Sequence, residues 1–416
     1  MNINSKRKPL MAFKTALATG IITLLFAQAH AAALDRSGQP INAFLQDGNY
    51  AEASISVLDA DVSGSARSTY IVPNTDPATG NMANNYQFYN AALKLQLTPQ
   101  LSFGLIYDQP FGADVTYDVL PNSTYSSATG KTSTDVSTQN LSFLFGYQPT
   151  SNWNFYAAPV YQTIKGNLDI NGLGFGEANG YSYNVKQDSA VGWLAGAAYQ
   201  IPEIALKAAL TYRSEIKHEF SAVESFDQPL INLVPLAGTG QTELTTPQSV
   251  NFDFQTGLNP STLAFLNARW VNWKDFYIRP YQFGKVTELL TGMMLNNPIA
   301  LNLVDYDKDQ ISVNGGLAKK LTTQWSVMAL AGWDSGTGNP TSTLGPIDGY
   351  WTAGLGAQFN PAPHYFIQGA FKYFWFGDAT GHAATYAIPG NEEAAKVADY
   401  SDNSAWGYML KMGYTF

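Results

Sequence analysis

The sequence predicts a fourteen-stranded antiparallel transmembrane β-barrel, and three observations support this fold class. Residues 406–416 read WGYMLKMGYTF, in which every second residue is large and apolar, and a period of two indicates a strand with two unlike faces. Charged residues make up only 13% of the chain, against roughly 25% in soluble domains. Beyond the N-terminus no apolar run reaches the roughly 20 residues of a membrane-spanning helix, and the mean hydropathy is only −0.13. Alternating strands explain this combination, because hydropathy averages hide apolar residues that are spread one in two.

Thirteen further segments alternate in the same way, some strongly and some weakly. They are residues 49–62, 86–97, 101–107, 141–147, 152–165, 187–200, 204–219, 248–257, 262–273, 311–320, 325–333, 349–359 and 365–375, before the last segment at 403–416. Aromatic residues near the segment ends suit the interfacial belt of a membrane barrel.

The connections between these segments alternate in length. Six are short and lie at 98–100, 149–151, 201–203, 259–261, 322–323 and 360–363. Seven are long and lie at 63–85, 109–132, 166–184, 220–247, 274–310, 335–348 and 377–402. Such sorting of loops by side, with both chain ends on the short-turn side, is typical of an up-and-down outer-membrane barrel. A soluble β-sandwich, the alternative, has no reason to sort its loops.

The N-terminus reads as a secretory signal peptide over residues 1–31. Basic residues 6–8 precede an apolar stretch over residues 10–29, and Ala29-His30-Ala31 offers a small-residue cleavage site. The alternative is an uncleaved anchor, for which the apolar stretch is short. Residues 32–47 then form a short N-terminal plug segment and residues 48–416 the barrel. The segment removed holds four of the 23 basic residues and no acidic one, so 19 basic and 32 acidic residues remain, a net charge of −13.

Composition also limits the chemistry. The acidic balance argues against nucleic acid as a partner. The chain has no cysteine, which excludes cysteine catalysis and Cys-based metal sites. An outer-membrane enzyme is a competing class, yet His218, His364 and His382 lie in no recognisable nucleophile motif. We therefore predict no catalytic residue, no metal site and no cofactor.

Alternation also assigns side chains to the barrel interior. The inward cations are Lys94, Lys207, Arg213, Lys217, Arg269, Lys372 and Lys411. Apolar residues share this face, namely Phe88, Leu144, Tyr156, Val160, Leu194, Phe265, Met328, Leu330, Phe374 and Met409. This mixture suits a conduit for an apolar molecule, or residues that pack under a loop or the N-terminal plug.

Two of the long loops are unusually apolar. They read FDQPLINLVPLAG, residues 226–238, and VTELLTGMMLNNPIALNLV, residues 286–304. Leu289, Leu290, Met293 and Met294 have helical spacing, which predicts a short amphipathic helix. Exposed apolar patches usually bind something, and methionine suits an adaptable groove. The alternative is that the two loops pack on each other.

Three motifs give the chain a family resemblance. They are YRSEIKHEF at 212–220, PFGADVTY at 110–117, and the stretch from Thr246-Pro247 to the tail at 270–273. All three are similar to sequence motifs of one family of outer-membrane barrels. Over nearly its whole mature length the chain resembles the FadL/OmpP1 family of outer-membrane transporters for long-chain fatty acids and hydrocarbons.

The resemblance implies a mechanism as well as a location in the bacterial outer membrane. A hydrophobic acid is captured between apolar extracellular loops, passes to a lumen pocket closed by the plug, and leaves sideways where the third strand is kinked. The expected groove residues are Leu230, Ile231, Leu233, Leu289, Leu290, Met293 and Met294. The expected lumen residues are Arg213, Lys217, Phe265 and Arg269, with Arg213 as the carboxylate partner, and the expected lateral gate is Gln109, Pro110 and Gly112.

The chain departs from the family in one respect. The family's plug is longer and contains Asn-Pro-Ala, whereas residues 32–47 lack that motif, so gating and substrate are open. The alternative function is a non-specific porin for small solutes. We expect a monomer that contacts a hydrophobic small molecule, outer-membrane lipid and lipopolysaccharide.

Overall fold

The computed structural model describes residues 34–67, 74, 76–118, 124–127, 130–172, 175, 178–226 and 240–416. Fourteen long strands of this part form one closed sheet. They are β1 (Tyr50–Asp61), β2 (Tyr86–Gln96), β3 (Leu101–Asp108), β4 (Ser133–Tyr147), β5 (Trp153–Ile170), β6 (Tyr181–Ile201), β7 (Leu206–Arg213), β8 (Ser249–Asn259), β9 (Thr262–Val271), β10 (Gln310–Lys320), β11 (Trp325–Asp334), β12 (Tyr350–Ala362), β13 (Tyr365–Phe376) and β14 (Ser404–Thr415).

Each barrel strand pairs antiparallel with its neighbours in the chain. The ring closes where β14 pairs with β1, from Tyr50 opposite Thr415 to Asp61 opposite Ser404. The predicted fourteen-stranded barrel is therefore confirmed. Strands β4, β5 and β6 run further than their alternation predicted. The outer end of β4 is largely polar on both faces, whereas those of β5 and β6 bury their apolar residues, such as Leu168 and Tyr183, and expose polar ones.

The two faces of the strands differ as the alternation predicted. In β14 the exposed fraction is 49% at Leu410 and 55% at Met412, but 7% at Met409. The outer surface of the barrel is thus apolar and aromatic up to Phe416, whose backbone N–H donates to the carbonyl of Asn49. Interior charges also pair between neighbouring strands, since Nζ of Lys411 on β14 lies 3.2 Å from a carboxylate oxygen of Glu52 on β1.

The sorting of connections is also confirmed among the described residues. Strands β2–β3, β4–β5, β6–β7, β8–β9, β10–β11 and β12–β13 are joined by short turns, and the other seven connections are long. The long connections carry nearly all the small elements. These are a hairpin (Ile216–Phe220 with Thr242–Thr246), a strand on β6 (Val223–Ser225), a pair (Tyr277–Ile278 with Val304–Asp305), a second pair (Ser126–Ser127 with Gly130–Lys131), a sheet (Gly64–Ala66, Thr341–Ser342, Ala379–His382 and Lys396–Tyr400), a 3-10 turn (Ala384–Ala387) and helix α1 (Tyr281–Leu295). A second 3-10 turn (Pro202–Ile204) lies in the short turn between β6 and β7.

Helix α1 is held at both ends by identifiable groups. Its preceding residue, Pro280, fits a helix start, and the carboxylate of Glu224 accepts the backbone N–H groups of Gln282 and Phe283 at 2.9 Å each. The helix stops at Asn296, which adopts the left-handed conformation with φ 53°. This confirms the predicted helix and fixes its apolar face, with Phe283 and Val286 buried.

Among the described residues, the search for a helix of sufficient length and hydropathy to cross a membrane found none.

Candidate functional site

An apolar groove lies between helix α1 and the loops around residues 342–344 and 382–391. It has a volume of about 610 Å³. Its apolar wall includes Ile170, Phe175, Ala178, Phe226, Phe283, Val286, Leu290, Met294, Leu295, Leu301, Leu303, Leu344 and Ile388. This volume falls within the range of small-molecule sites.

The structure separates the four helix residues that the sequence grouped together. Leu290 and Met294 line the groove, as predicted. Leu289 and Met293 are not among the lining residues, and their exposed fractions are 40% and 74%. Leu290 is therefore the member of the predicted set that faces the groove most fully, whereas Met294 borders the groove with an exposed fraction of 80%. The other predicted groove residues, Leu230, Ile231 and Leu233, lie outside the described residues.

The groove is almost free of ionisable groups. Among the described residues that line it there is no Asp, Glu, Lys or Arg, and His382 is the one ionisable side chain. The hydroxyls of Thr287 and Thr291 bond within the helix and to the chain that follows it. Such a groove favours a neutral, apolar occupant or the alkyl part of an amphiphile.

A smaller cavity of about 50 Å³ continues from the groove towards the barrel wall. Leu303 and Leu344 line both spaces. The far wall of the smaller cavity is formed by the outer ends of β4, β5 and β6, including Val136 and Ile164. The two cavities thus adjoin each other at Leu303 and Leu344, between the groove and the inner face of the barrel.

A buried polar cluster lies next to these cavities. Nδ1 of His218 is 2.8 Å from the carboxylate of Asp188, and its Nε2 is 3.0 Å from Oε1 of Gln162. Gln162 also bonds Asn140 and Thr246, at 2.8 and 2.7 Å. Because Ile164 and the neighbours of His218 on the hairpin line the smaller cavity, this cluster forms a polar boundary on one side of it. An apolar molecule at this boundary would displace water from these polar groups without forming hydrogen bonds to them, which costs free energy.

The third strand breaks beside the same cavities. Strand β3 pairs with β2 only from Gln96 opposite Ser102 to Ala91 opposite Tyr107. Residues 86–90 and 108–113, all of them described, form no pair with each other. Beyond the break, residues Gly112–Thr116 rejoin β4 with a one-residue shift, as in a β-bulge. The predicted gate residues Gln109, Pro110 and Gly112 all lie in this gap.

The N-terminal segment fills the gap left by β2. The N–H of Arg36 donates to the carbonyl of Pro110 at 2.6 Å, and the N–H of Gly112 donates to the carbonyl of Leu34 at 2.8 Å. Asp35 and Phe111 form the bridge between these two bonds. Residues 34–36 therefore act as a short partner strand for the unpaired edge of β3.

The side chain of Arg36 is wedged into the same place. Its guanidinium carbon lies 4.0 Å from the ring centre of Tyr86 on β2. A Cβ built on Gly112 would lie 2.6 Å from that same carbon, so the close approach requires glycine. Arg36 is 6% exposed, and its Nε and Nη2 atoms have no hydrogen-bond partner within the described chain. Tyr86, through its ring and a side-chain hydrogen bond, and the nearby carboxylates of Asp114 and Asp135 compensate part of that cost.

Buried polar contacts tie the N-terminal segment to the barrel interior. Nε of Arg269 donates to the carboxylate of Asp35 at 2.7 Å, with both side chains almost wholly buried. The hydroxyl of Ser37 donates to Asp108 at 2.7 Å. Nζ of Lys94 donates to the carbonyl of Gln46 at 2.7 Å, and Lys207 donates to the carbonyl of Leu45.

Apolar packing adds to these ties. Ile41 and Phe44 pack against the inward residues Leu144, Tyr156 and Leu194. Part of the inward apolar set therefore packs on the N-terminal segment, which was one of the two alternatives.

The predicted lumen residues occupy three different environments. Arg213 is 8% exposed and close to the carboxylates of Asp108 and Asp253, but its Nη1 atom has no partner in the described structure. Arg269 is already engaged by Asp35, so a substrate can reach it only if the N-terminal segment moves. Phe265 lies near the short-turn end of the barrel, where it packs against Leu263 and its neighbours.

The predicted inward orientation of Lys217 is wrong. The chain breaks at residues 214–215 after β7, and the resulting shift in alternation turns Ile216, His218 and Phe220 inward and Lys217 outward. The ammonium of Lys217 lies 2.8 Å from Glu219 and 3.1 Å from Glu243. Hydrogen bonds to these carboxylates raise the pKa of Lys217.

Several residues that shape this region could not be identified from the sequence. Asp35 and Arg36 contact β2, β3 and β9 only through the fold, and Glu224 caps α1 across 58 residues. The one available signal for the N-terminal pair was the presence of two adjacent opposite charges in a segment otherwise poor in charge.

Comparison with known proteins agrees with this architecture. A crystal structure of a Pseudomonas aeruginosa FadL homologue superposes with TM-score 0.69 and 17% identity, covering 91% of this chain and 92% of that one. The P. putida toluene transporter TodX gives 0.59 and 12%, covering 96% and 97%, and the Ralstonia pickettii toluene transporter TbuX gives 0.55 and 13%, covering 92% and 95%. These identities support the fold alone.

No curated protein sequence matches the chain. The family model described as outer membrane protein transport protein (OMPP1/FadL/TodX) matches residues 26–416. The chain therefore belongs to the OMPP1/FadL/TodX family, whose members are outer-membrane channels for hydrophobic compounds.

Proposed function

We propose that the protein takes up long-chain fatty acids or related hydrophobic compounds across the bacterial outer membrane. The observation that carries this proposal is the apolar groove at α1, which adjoins, at Leu303 and Leu344, a smaller cavity against the outer ends of β4 and β5. A surface groove of this volume with one ionisable lining residue has little use for a hydrophilic solute. It suits capture of an apolar chain or ring from water.

We propose that the captured molecule leaves sideways through the gap in β3. Two features support this exit. Val136, which lines the smaller cavity, lies directly opposite Ala113 beyond the break. The polar cluster around His218 disfavours the alternative path down the lumen. An apolar molecule that passed there would remove water from the polar groups of the cluster without forming hydrogen bonds to them.

Residues 32–47 are proposed as the plug. The described part of this segment, from Leu34 onwards, lies against inward side chains of the barrel and covers the β3 gap through Arg36. Its polar ties to Arg269, Lys94 and Lys207 suit a segment that is ordered at rest and displaced when the substrate passes. The absence of Asn-Pro-Ala is consistent with a different anchor, the buried Asp35–Arg269 pair.

Arg213 is proposed as the partner of an acidic head group. Its guanidinium is buried near Asp108 and Asp253 but has an unpartnered Nη1, and a carboxylate can be held bidentately by such a group. We expect Arg213→Ala to weaken uptake of a long-chain fatty acid far more than uptake of an alkane of similar length. Radiolabelled uptake by cells that express each variant measures this ratio, and an unchanged ratio would remove Arg213 from the proposal.

The porin alternative is separated from this function by conductance. In planar bilayers the purified barrel should pass little ionic current, because residues of the N-terminal segment fill the lumen. In liposomes the same preparation should speed the transfer of a fatty acid from outside into the bilayer. A large ohmic conductance together with no acceleration of transfer would favour the porin.

A further inference from the structure

The last strand of the loop sheet places a histidine in the wall of the capture groove. His382 ends the strand Ala379–His382, beside Ser342 of the parallel strand Thr341–Ser342. Its exposed fraction is 9%, and it lines the groove together with Ala383, Thr385 and Ile388. No Asp, Glu, Lys or Arg accompanies it among the lining residues that the structure describes.

The imidazole of His382 is fixed in orientation. Its ring stacks on that of Tyr386, with centroids 4.7 Å apart and planes at 32°. Nδ1 lies 3.0 Å from the carbonyl oxygen of Ala383, so Nδ1 carries the hydrogen and donates it. In the neutral ring Nε2 then has a lone pair and acts as an acceptor. Within the described chain, Nε2 has no hydrogen-bond partner.

Three hydroxyl groups of the groove are already engaged in hydrogen bonds. The Thr287 hydroxyl donates to the carbonyl of Phe283 and accepts from the N–H of Leu301. The Thr291 hydroxyl does the same with Thr287 and Ile299, and that of Ser342 accepts the N–H of Leu344. Unlike these three hydroxyls, the Nε2 atom of His382 is an acceptor without a partner among the described residues, in a mainly apolar wall.

We propose that His382 is a specificity-determining residue of the groove and selects hydrophobic molecules that carry a hydroxyl. The class is a neutral phenol or alcohol whose O–H donates to Nε2 while its ring or chain lies on the apolar wall. An acceptor in a low-dielectric groove increases the affinity for a ligand with such a donor. A ligand without a donor displaces water from the nitrogen and leaves it without a hydrogen bond. This inference rests on the proposed capture role of the groove.

A pair of ligands that differ by one hydroxyl tests the proposal. Binding of toluene and of p-cresol to the purified full-length barrel in amphipol is measured by calorimetry at pH 8, where a phenol is neutral. The quantity of interest is the ratio of the two affinities. His382→Phe is expected to lower the p-cresol preference roughly fivefold, the value of one modest hydrogen bond. His382→Leu provides the same measurement if the phenylalanine variant does not assemble, and His382→Gln should retain part of the preference through its amide oxygen.

Leu290→Ala is the matched control, because it removes apolar wall and no polar atom. It should weaken both ligands by the same factor and leave the ratio unchanged. A wild-type ratio in His382→Phe or His382→Leu overturns the proposal. If the wild-type protein binds neither toluene nor p-cresol, the capture function itself fails, which is a separate result.

Discussion

A disulfide between cysteines at positions 35 and 111 is expected to stop the release of hydrophobic substrate into the bilayer. Asp35 and Phe111 face each other in an antiparallel bridge that is flanked by the two hydrogen bonds of the N-terminal strand. Residues in that relation have Cα atoms about 4.5 Å apart, which lies within disulfide range. The bond would hold Arg36 against Tyr86 and keep the β3 gap closed.

The measurement is transfer of a fluorescent fatty acid from outside solution into liposomes that contain the variant. Oxidised Asp35→Cys/Phe111→Cys should transfer at the rate of protein-free liposomes, and reduction should restore transfer. Because the natural chain has no cysteine, no competing disulfide can form. Each single-cysteine variant is a control that should not respond to the oxidant.

An independent variant removes the wedge instead of fixing it. Arg36→Ala vacates the space between Tyr86 and Gly112 and removes a buried cation that lacks full hydrogen bonding, so transfer should become faster than in the wild type. Equal transfer before and after oxidation of the cysteine pair, with transfer also unchanged in Arg36→Ala, would show that residues 34–36 do not control the exit.

The sequence was sufficient to predict the barrel because its evidence is local and repeated. Alternation in fourteen segments, the sorting of loops by length and the apolar C-terminal strand each report on a neighbouring stretch of chain. The position of the break at Gln109–Gly112 was likewise accessible through family resemblance, since a motif placed it there.

The site was less predictable, because its contacts join distant parts of the chain. Asp35 meets Arg269 across 234 residues, and no local pattern reports such a pair. The predicted orientation of Lys217 was wrong for a different reason. A single break at residues 214–215 reverses the inward or outward assignment of every later residue on that strand. Helical spacing predicted α1 but not which neighbours turn into the groove, since that depends on how Glu224 and the following chain orient the helix.

The orientation of helix α1 leads to the second prediction with a large expected effect on uptake. Leu290→Asp is expected to reduce uptake of fatty acids and alkanes alike, by at least roughly tenfold, because a carboxylate in an apolar groove must lose water without a partner. Leu290 lines the groove and packs beside Val286, and no cation is among the lining residues to neutralise the new charge. The change spoils capture, which is common to both ligands, so it should not alter the ratio between them.

The neighbouring residue supplies a matched control. Leu289→Asp places the same carboxylate on the same helix, but at a position that is 40% exposed and outside the groove lining, so its effect on uptake should be small. Radiolabelled uptake by whole cells, corrected for the amount of assembled barrel, compares the two variants. Because the spacing in the sequence treated both leucines alike, the comparison separates the orientation seen in the structure from a general need for an apolar helix. Equal losses in the two variants would mean that the helix surface as a whole captures the substrate, and that the groove beneath Leu290 is not the point of entry.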